Sequence, residues 1–149
     1  MASFRTSVPT AWSPETAFDF MADLRNFAIW DPGVAAVRLI EGDGPGLGAA
    51  FDVDVHAGPR TITLRYVTTE FERPHRLVVV ATTSTLVSDD TIVVEPTPHG
   101  ATVTYDAELS LRGVLRVANP LLAIAFGRIG ERAAGGLRRT LADTSLPAS

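Results

Sequence analysis

The chain of 149 residues contains no cysteine and no lysine. Lack of cysteine excludes disulfides, thiolate nucleophiles and cysteine-ligated metals. All 13 basic residues are arginine, so Schiff-base catalysis and lysine-dependent phosphate loops are excluded as well. An arginine-only, alanine-rich composition reads as the trace of a GC-rich genome. The three histidines, His56, His75 and His99, stand far apart at turns or strand ends, so neither a metal cluster nor a serine–histidine triad is expected. No metal and no cofactor follow from the composition.

Other absences bear on location and partners. No run of about 18 apolar residues is present, which argues against a membrane span. The start, "MASFRTSVPTAW", lacks the basic segment and long apolar core of a signal peptide. Net charge is −4 and the pI about 5.3, so no basic footprint for nucleic acid stands out. A cytoplasmic protein is the expectation. With 46% hydrophobic and 20% charged residues, residues 1–149 read as one globular domain able to bury a core.

Along the chain, 3–8 reads as a short strand ended by Pro9. Ser13 then offers an N-cap, Pro14 a first helical position and Glu15 an acidic first turn. Ala17, Phe18, Met21 and Leu24 recur at helical spacing, giving two short helices with a bend that end before Pro32. From Val34 to Leu111 the period becomes two, with about six strands joined by short turns, the pattern of an antiparallel meander with one wet face. Phe51, Val53 and Val55 share one face of their strand; Ile62, Leu64 and Tyr66 share another; Val103, Tyr105, Ala107, Leu109 and Leu111 a third. The glycine-rich "GDGPGLG" leads into a strand and not a helix, which makes it a hairpin loop and not a phosphate cradle.

The segment "NPLLAIAFGRIGERAAGGLRRTLAD" predicts one long helix from about Asn119, with Asn119 as its N-cap. Leu122, Phe126, Ile129, Ala133 and Leu137 fall on one side, opposite Arg128, Glu131, Arg132, Arg138 and Arg139. Gly127, Gly130, Gly135 and Gly136 each cost a helix roughly 1 kcal/mol relative to alanine. They imply either close packing on the sheet or space left above it for a ligand. The tail "TSLPAS" is expected to fray.

This order of elements, together with "NFAIWDPGV", "VTTEFERPHRLVV" and "GVLRVANPLLAIAFGRIGERAAGGLRRTL", resembles the START/Bet v 1-like (SRPBCC) superfamily, and within it the polyketide cyclase/dehydrase and lipid-transport group. The resemblance implies an α+β helix-grip fold, a curved antiparallel sheet wrapped around a long C-terminal helix. It also implies an apolar cavity between the two. The rival, a cone-shaped fold of the NTF2 type, ends in strands and not in a long amphipathic helix.

Within such a cavity the residues open to chemistry are few. Tyr66 and Tyr105 lie in phase with the apolar faces of their strands; they are either core tyrosines or groups that orient a ligand. Asp90 is in phase with Ile92 and Val94, but an unpaired buried carboxylate is costly, so a solvated Asp90 near the turn is the expectation. Asp89 must face the other way. Trp30 plugs the joint of helices and sheet, as wedge or as cavity wall, and Asp31-Pro32-Gly33 closes the helical pair. Polyketide aromatase/cyclases that resemble this fold use inward tyrosine, arginine and carboxylate groups for an aldol step. Arg65 is out of phase with Tyr66, and no motif in the chain matches those enzymes residue by residue, so no catalytic residue is assigned.

The candidate ligand-binding set is therefore Trp30, Phe51, Tyr66, Asp90, Tyr105 and Phe126. The expected function is binding of a small hydrophobic ligand: a lipid, polyketide or aromatic metabolite. The alternative is a cyclase, aromatase or dehydratase using the inward tyrosines. Apolar residues at both phases of "RLVVVATT", including Val78 and Val80, leave a homodimer open.

Overall fold

A computed structural model describes residues 2–143. The element order is β1 (Ala2–Thr10), α1 (Pro14–Ala22), a 3-10 turn (Leu24–Asn26), α2 (Phe27–Trp30), β2 (Val34–Glu41), β3 (Ala50–Ala57), β4 (Arg60–Glu72), β5 (Arg76–Thr82), β6 (Leu86–Thr97), β7 (Gly100–Leu111), a second 3-10 stretch (Gly113–Ala118) and α3 (Asn119–Ala142). The seven strands form one antiparallel sheet in the order β1-β7-β6-β5-β4-β3-β2. Among the described residues the one non-sequential pairing returns β7 beside β1. This is the helix-grip architecture, with α3 lying along β1 and against α2.

Local signals explain most boundaries. Ser13 caps α1, its hydroxyl accepting from Thr16 N at 3.1 Å, and Pro14 opens the helix. Asp31 Oδ1 accepts from Gly33 N at 2.8 Å, folding the turn that delivers β2. Two expectations need correction. Pro9 does not end β1, which runs on to Thr10; β1 is an edge strand, where a missing N–H is tolerated. Asn119 does not cap α3: its Oδ1 accepts from Leu111 N at 3.0 Å, tying the helix start to the end of β7. The expected fraying of 144–149 lies outside the described residues.

The concave face of the sheet is divided along its strands. At one end Val8, Leu77, Ile92, Val94 and Val103 pack under α1, whose Phe18 and Met21 are fully buried. That end is dry core. At the other end the same sheet carries Phe4, Leu64, Leu86, Ala107 and Leu109 beneath α3, and here the space is not filled.

The glycines of α3 separate into two kinds. At Gly136 an added Cβ would run into the Trp30 carbonyl, and at Gly130 into the Phe4 ring. Both exist for close approach. Gly127 has nothing within 4 Å, and Gly135 meets only Arg139 Nη1 at 3.5 Å. The buried residues of α3 all lie from Gly130 onward. Its C-terminal half is therefore the anchor, reinforced by Thr10 Oγ1 donating to Leu141 O at 2.7 Å.

Candidate functional site: a polar chain in an apolar cavity

Between the sheet and α3 lies a cavity of about 730 Å³, within the range of small-molecule sites. Its walls are mostly apolar. Leu122, Phe126, Ile129, Ala133 and Leu137 of α3 all border it, as their common helical face requires. The rim reaches the surface at His56, Gly58 and Arg132. Arg132 thus borders the opening, although its spacing placed it on the outer side.

Four polar side chains cross this apolar interior as one hydrogen-bonded chain. Tyr66 donates to Ser88 Oγ at 2.6 Å. Ser88 donates to Asp90 Oδ1 at 3.3 Å, and Tyr105 donates to Asp90 Oδ2. The sheet register explains how they meet. Tyr66 and Ser88 sit two strands apart, on either side of Ala81, which pairs with both. Ala81 is small, so the phenol reaches over it. Asp90 is opposite another small residue, Ala107, and Tyr105 lies diagonally two positions away, within reach of an aromatic side chain.

Asp90 is 4% exposed, which overturns the expectation of a solvated carboxylate near the turn. The three hydroxyls make that burial tolerable, Ser88 and Tyr105 directly and Tyr66 through Ser88. Burial nonetheless pushes its pKa up to about 7, with Tyr105 and Ser88 opposing the rise and the charges of Asp89 and Asp31 adding to it. Burial raises both phenols well above their ordinary value, and the charge of Asp90 raises them further. At neutral pH they remain hydroxyls. Asp31 also borders the cavity, its pKa raised by burial and partly restored by the Gly33 N–H.

Of the candidate residues, Trp30, Tyr66, Asp90, Tyr105 and Phe126 border the cavity. Phe51 does not: it is fully buried in the packed core, beside Tyr66 in register but away from the open space. Trp30 is at once wedge and wall. It is 3% exposed, packs edge-on against Tyr105 at 5.5 Å and tilted against Phe27 at 4.9 Å, and its Nε1 is buried without a partner. Sequence reasoning missed Ser88, although its phase with Asp90 was a readable signal. Arg65 points outward to Asp52 at 2.8 Å. Val78, one residue of the suggested dimer patch, is buried within the chain itself. Among the described residues no group of acids and histidines is arranged to hold a metal ion, and no helix is long and apolar enough to cross a membrane.

The family model described as polyketide cyclase/dehydrase and lipid transport matches residues 1–142. The chain belongs to this family. Its fold recurs in solved structures. A START superfamily protein from Mycobacterium smegmatis superposes with a TM-score of 0.76 at 14% identity, covering 95% of this chain and 97% of that one. A Thermus thermophilus protein gives 0.73 at 14% identity, covering 94% and 95%. The di-domain ARO/CYC BexL from the BE-7585A biosynthetic pathway gives 0.69 at 20% identity, covering 95% of this chain and 50% of that one. At such identities the likeness is one of fold. No curated protein matches by sequence.

Proposed function

We propose that this chain binds a small hydrophobic ligand, such as a lipid, a polyketide or another aromatic metabolite, between its sheet and α3. The carrying observation is the cavity itself: about 730 Å³ of unfilled space beneath a helix that presents a continuous apolar face to it. A folded chain ordinarily closes such space, because voids forfeit packing contacts. Trp30, Tyr66, Asp90, Tyr105 and Phe126 are the proposed contact residues. Native mass spectrometry of the protein purified from its own lysate tests this. A discrete added mass, lost on denaturation, is expected; an apo protein that also takes up no apolar probe would contradict it.

A second reading, a cyclase, aromatase or dehydratase, is favoured by one observation: Asp90 and Tyr105 are joined inside the cavity. An Asp90 carboxylate there can take a proton from the carbon beside a ligand carbonyl. The resulting enolate carbon would then attack a second carbonyl, and the proton would pass to the new alkoxide. Against this, the hydroxyl hydrogens of Ser88 and Tyr105 are donated to Asp90 and that of Tyr66 to Ser88, leaving none of them free to stabilise an enolate oxygen. The test is hydrogen–deuterium exchange beside the carbonyl of 1-tetralone. Exchange above background that disappears in Asp90→Asn supports catalysis; background exchange alone leaves binding as the function.

A further inference from the structure

The polar chain in the cavity is directional, and its direction has a consequence for the ligand. A carboxylate can only accept hydrogen bonds. Tyr105 and Ser88 must therefore donate to Asp90, and Ser88, having spent its hydrogen, must accept from Tyr66. What the chain offers outward is lone pairs and negative charge.

No cation among the described residues balances that charge. Five ion pairs are formed among them: Arg25–Asp23, Arg38–Asp54, Arg65–Asp52, Arg73–Asp19 and Arg76–Glu70. None involves Asp90 or Asp31. Charged and titratable groups adjoin Asp90 or share its cavity on the neighbouring elements: Tyr105 on β7, Tyr66 on β4, Asp31 after α2, and, at the rim, His56 of β3 and Arg132 of α3. Asp89 adjoins it on β6, on the other face of the sheet. The sole arginine bordering the cavity, Arg132 of α3, is at the exposed rim. Aromatic rings also form part of the wall, Trp30 and Tyr105 among them, and such rings attract cations.

Resting on the reading of the cavity as a ligand site, we propose that its preferred ligand is an apolar molecule with a protonated amine, the ammonium docking on the Asp90 carboxylate. The apolar body lies along the α3 face of Leu122 and Phe126. The ammonium supplies both the hydrogens and the positive charge that the cavity lacks, whereas a carboxylic acid would place a like charge beside Asp90 and Asp31.

The test is isothermal titration calorimetry of the full chain with three matched probes: decylamine, decan-1-ol and decanoate. At about pH 8 the amine is expected to bind at least ~10-fold more tightly than the alcohol, and the acid most weakly. Lowering the pH to about 5.5 protonates Asp90 while the amine stays charged, so amine affinity falls toward that of the alcohol in the unmodified protein. Asp90→Asn removes the amine preference at about pH 8. Asp89→Asn, an equal change of net charge on the opposite face, preserves it. Alcohol or acid binding as tightly as amine overturns this inference alone, as does equal loss in the two variants. Failure of all three probes to bind overturns the hydrophobic-ligand reading together with it.

Discussion

The Tyr105 hydroxyl donates to Asp90 Oδ2 across the β6–β7 boundary, inside the apolar end of the sheet. One residue further along each strand, the side chains face outward; further toward α1, Val94 and Val103 are ordinary core. Tyr105 thus marks the transition from packed core to cavity, with Trp30 stacked edge-on at its side.

Buried Asp90 makes stability depend on pH. Its pKa rises from the ordinary 3.8 to about 7 on folding, mainly through burial. Between those values the folded state holds a proton that the unfolded state has released. The contribution of Asp90 to stability is therefore fully present below that window, falls as pH rises through it, and levels off above it. At one pKa unit per 1.36 kcal/mol, the loss is on the order of 4 kcal/mol. Asp31, raised by burial as well, acts in the same direction. Urea denaturation at about pH 5 and about pH 8, which spans part of that window, is expected to show a fall of about 2–3 kcal/mol, and Asp90→Asn to reduce it sharply. Equal stability of the unmodified protein at both pH values would sink the assignment of a buried Asp90 that takes up a proton on folding.

The two kinds of glycine in α3 give opposite signs for one substitution. Gly127→Ala meets nothing within 4 Å and is expected to stabilise by up to about 1 kcal/mol through helix propensity. Gly136→Ala forces its methyl against the Trp30 carbonyl, which is backbone and cannot rotate away. A loss of about 1–3 kcal/mol is expected there. Denaturant midpoints of the two variants decide it, and gains at both positions would contradict the close approach of α3 to the Asp31 turn.

Trp30 separates packing from hydrogen bonding. Its Nε1 has no partner, so Trp30→Phe forfeits contact area but no hydrogen bond. A cost of about 1–2 kcal/mol is expected for it, against about 3–5 kcal/mol for Trp30→Ala. Thermal melts of both variants provide the comparison. A phenylalanine as damaging as alanine would mean that the indole N–H carries an interaction after all.

The sequence spoke clearly wherever one rule governed one stretch. Ser13-Pro14 had to open a helix, and β2 begins and ends where "VAAVRLIE" does. The α3 face of Leu122, Phe126 and Leu137 was legible because a 3.6-residue period assigns faces without any partner in view. The inward phase of Tyr66 and Tyr105 followed in the same way. What could not be read was the distance between strands along the chain. Asp90 looked too costly to bury because its donors, Tyr105 and Ser88, come from positions whose register only the folded sheet determines. Phe51 failed for a related reason: facing inward does not say which end of the inner face is packed and which is open. Pro9 and Asn119 were misjudged where an edge position or a long-range partner overrode a local preference.

On the proposed function, the open end of the sheet face, and not its packed end, receives a ligand. Methyl NMR of the full chain titrated with decan-1-ol tests this most directly. Saturable shifts are expected at the methyls of Leu64, Leu86, Leu122 and Leu137, which border the cavity, with little change at Val8 and Met21 in the dry core. Shifts confined to the exposed side chains of Val117 and Leu121, or none at all, would contradict it.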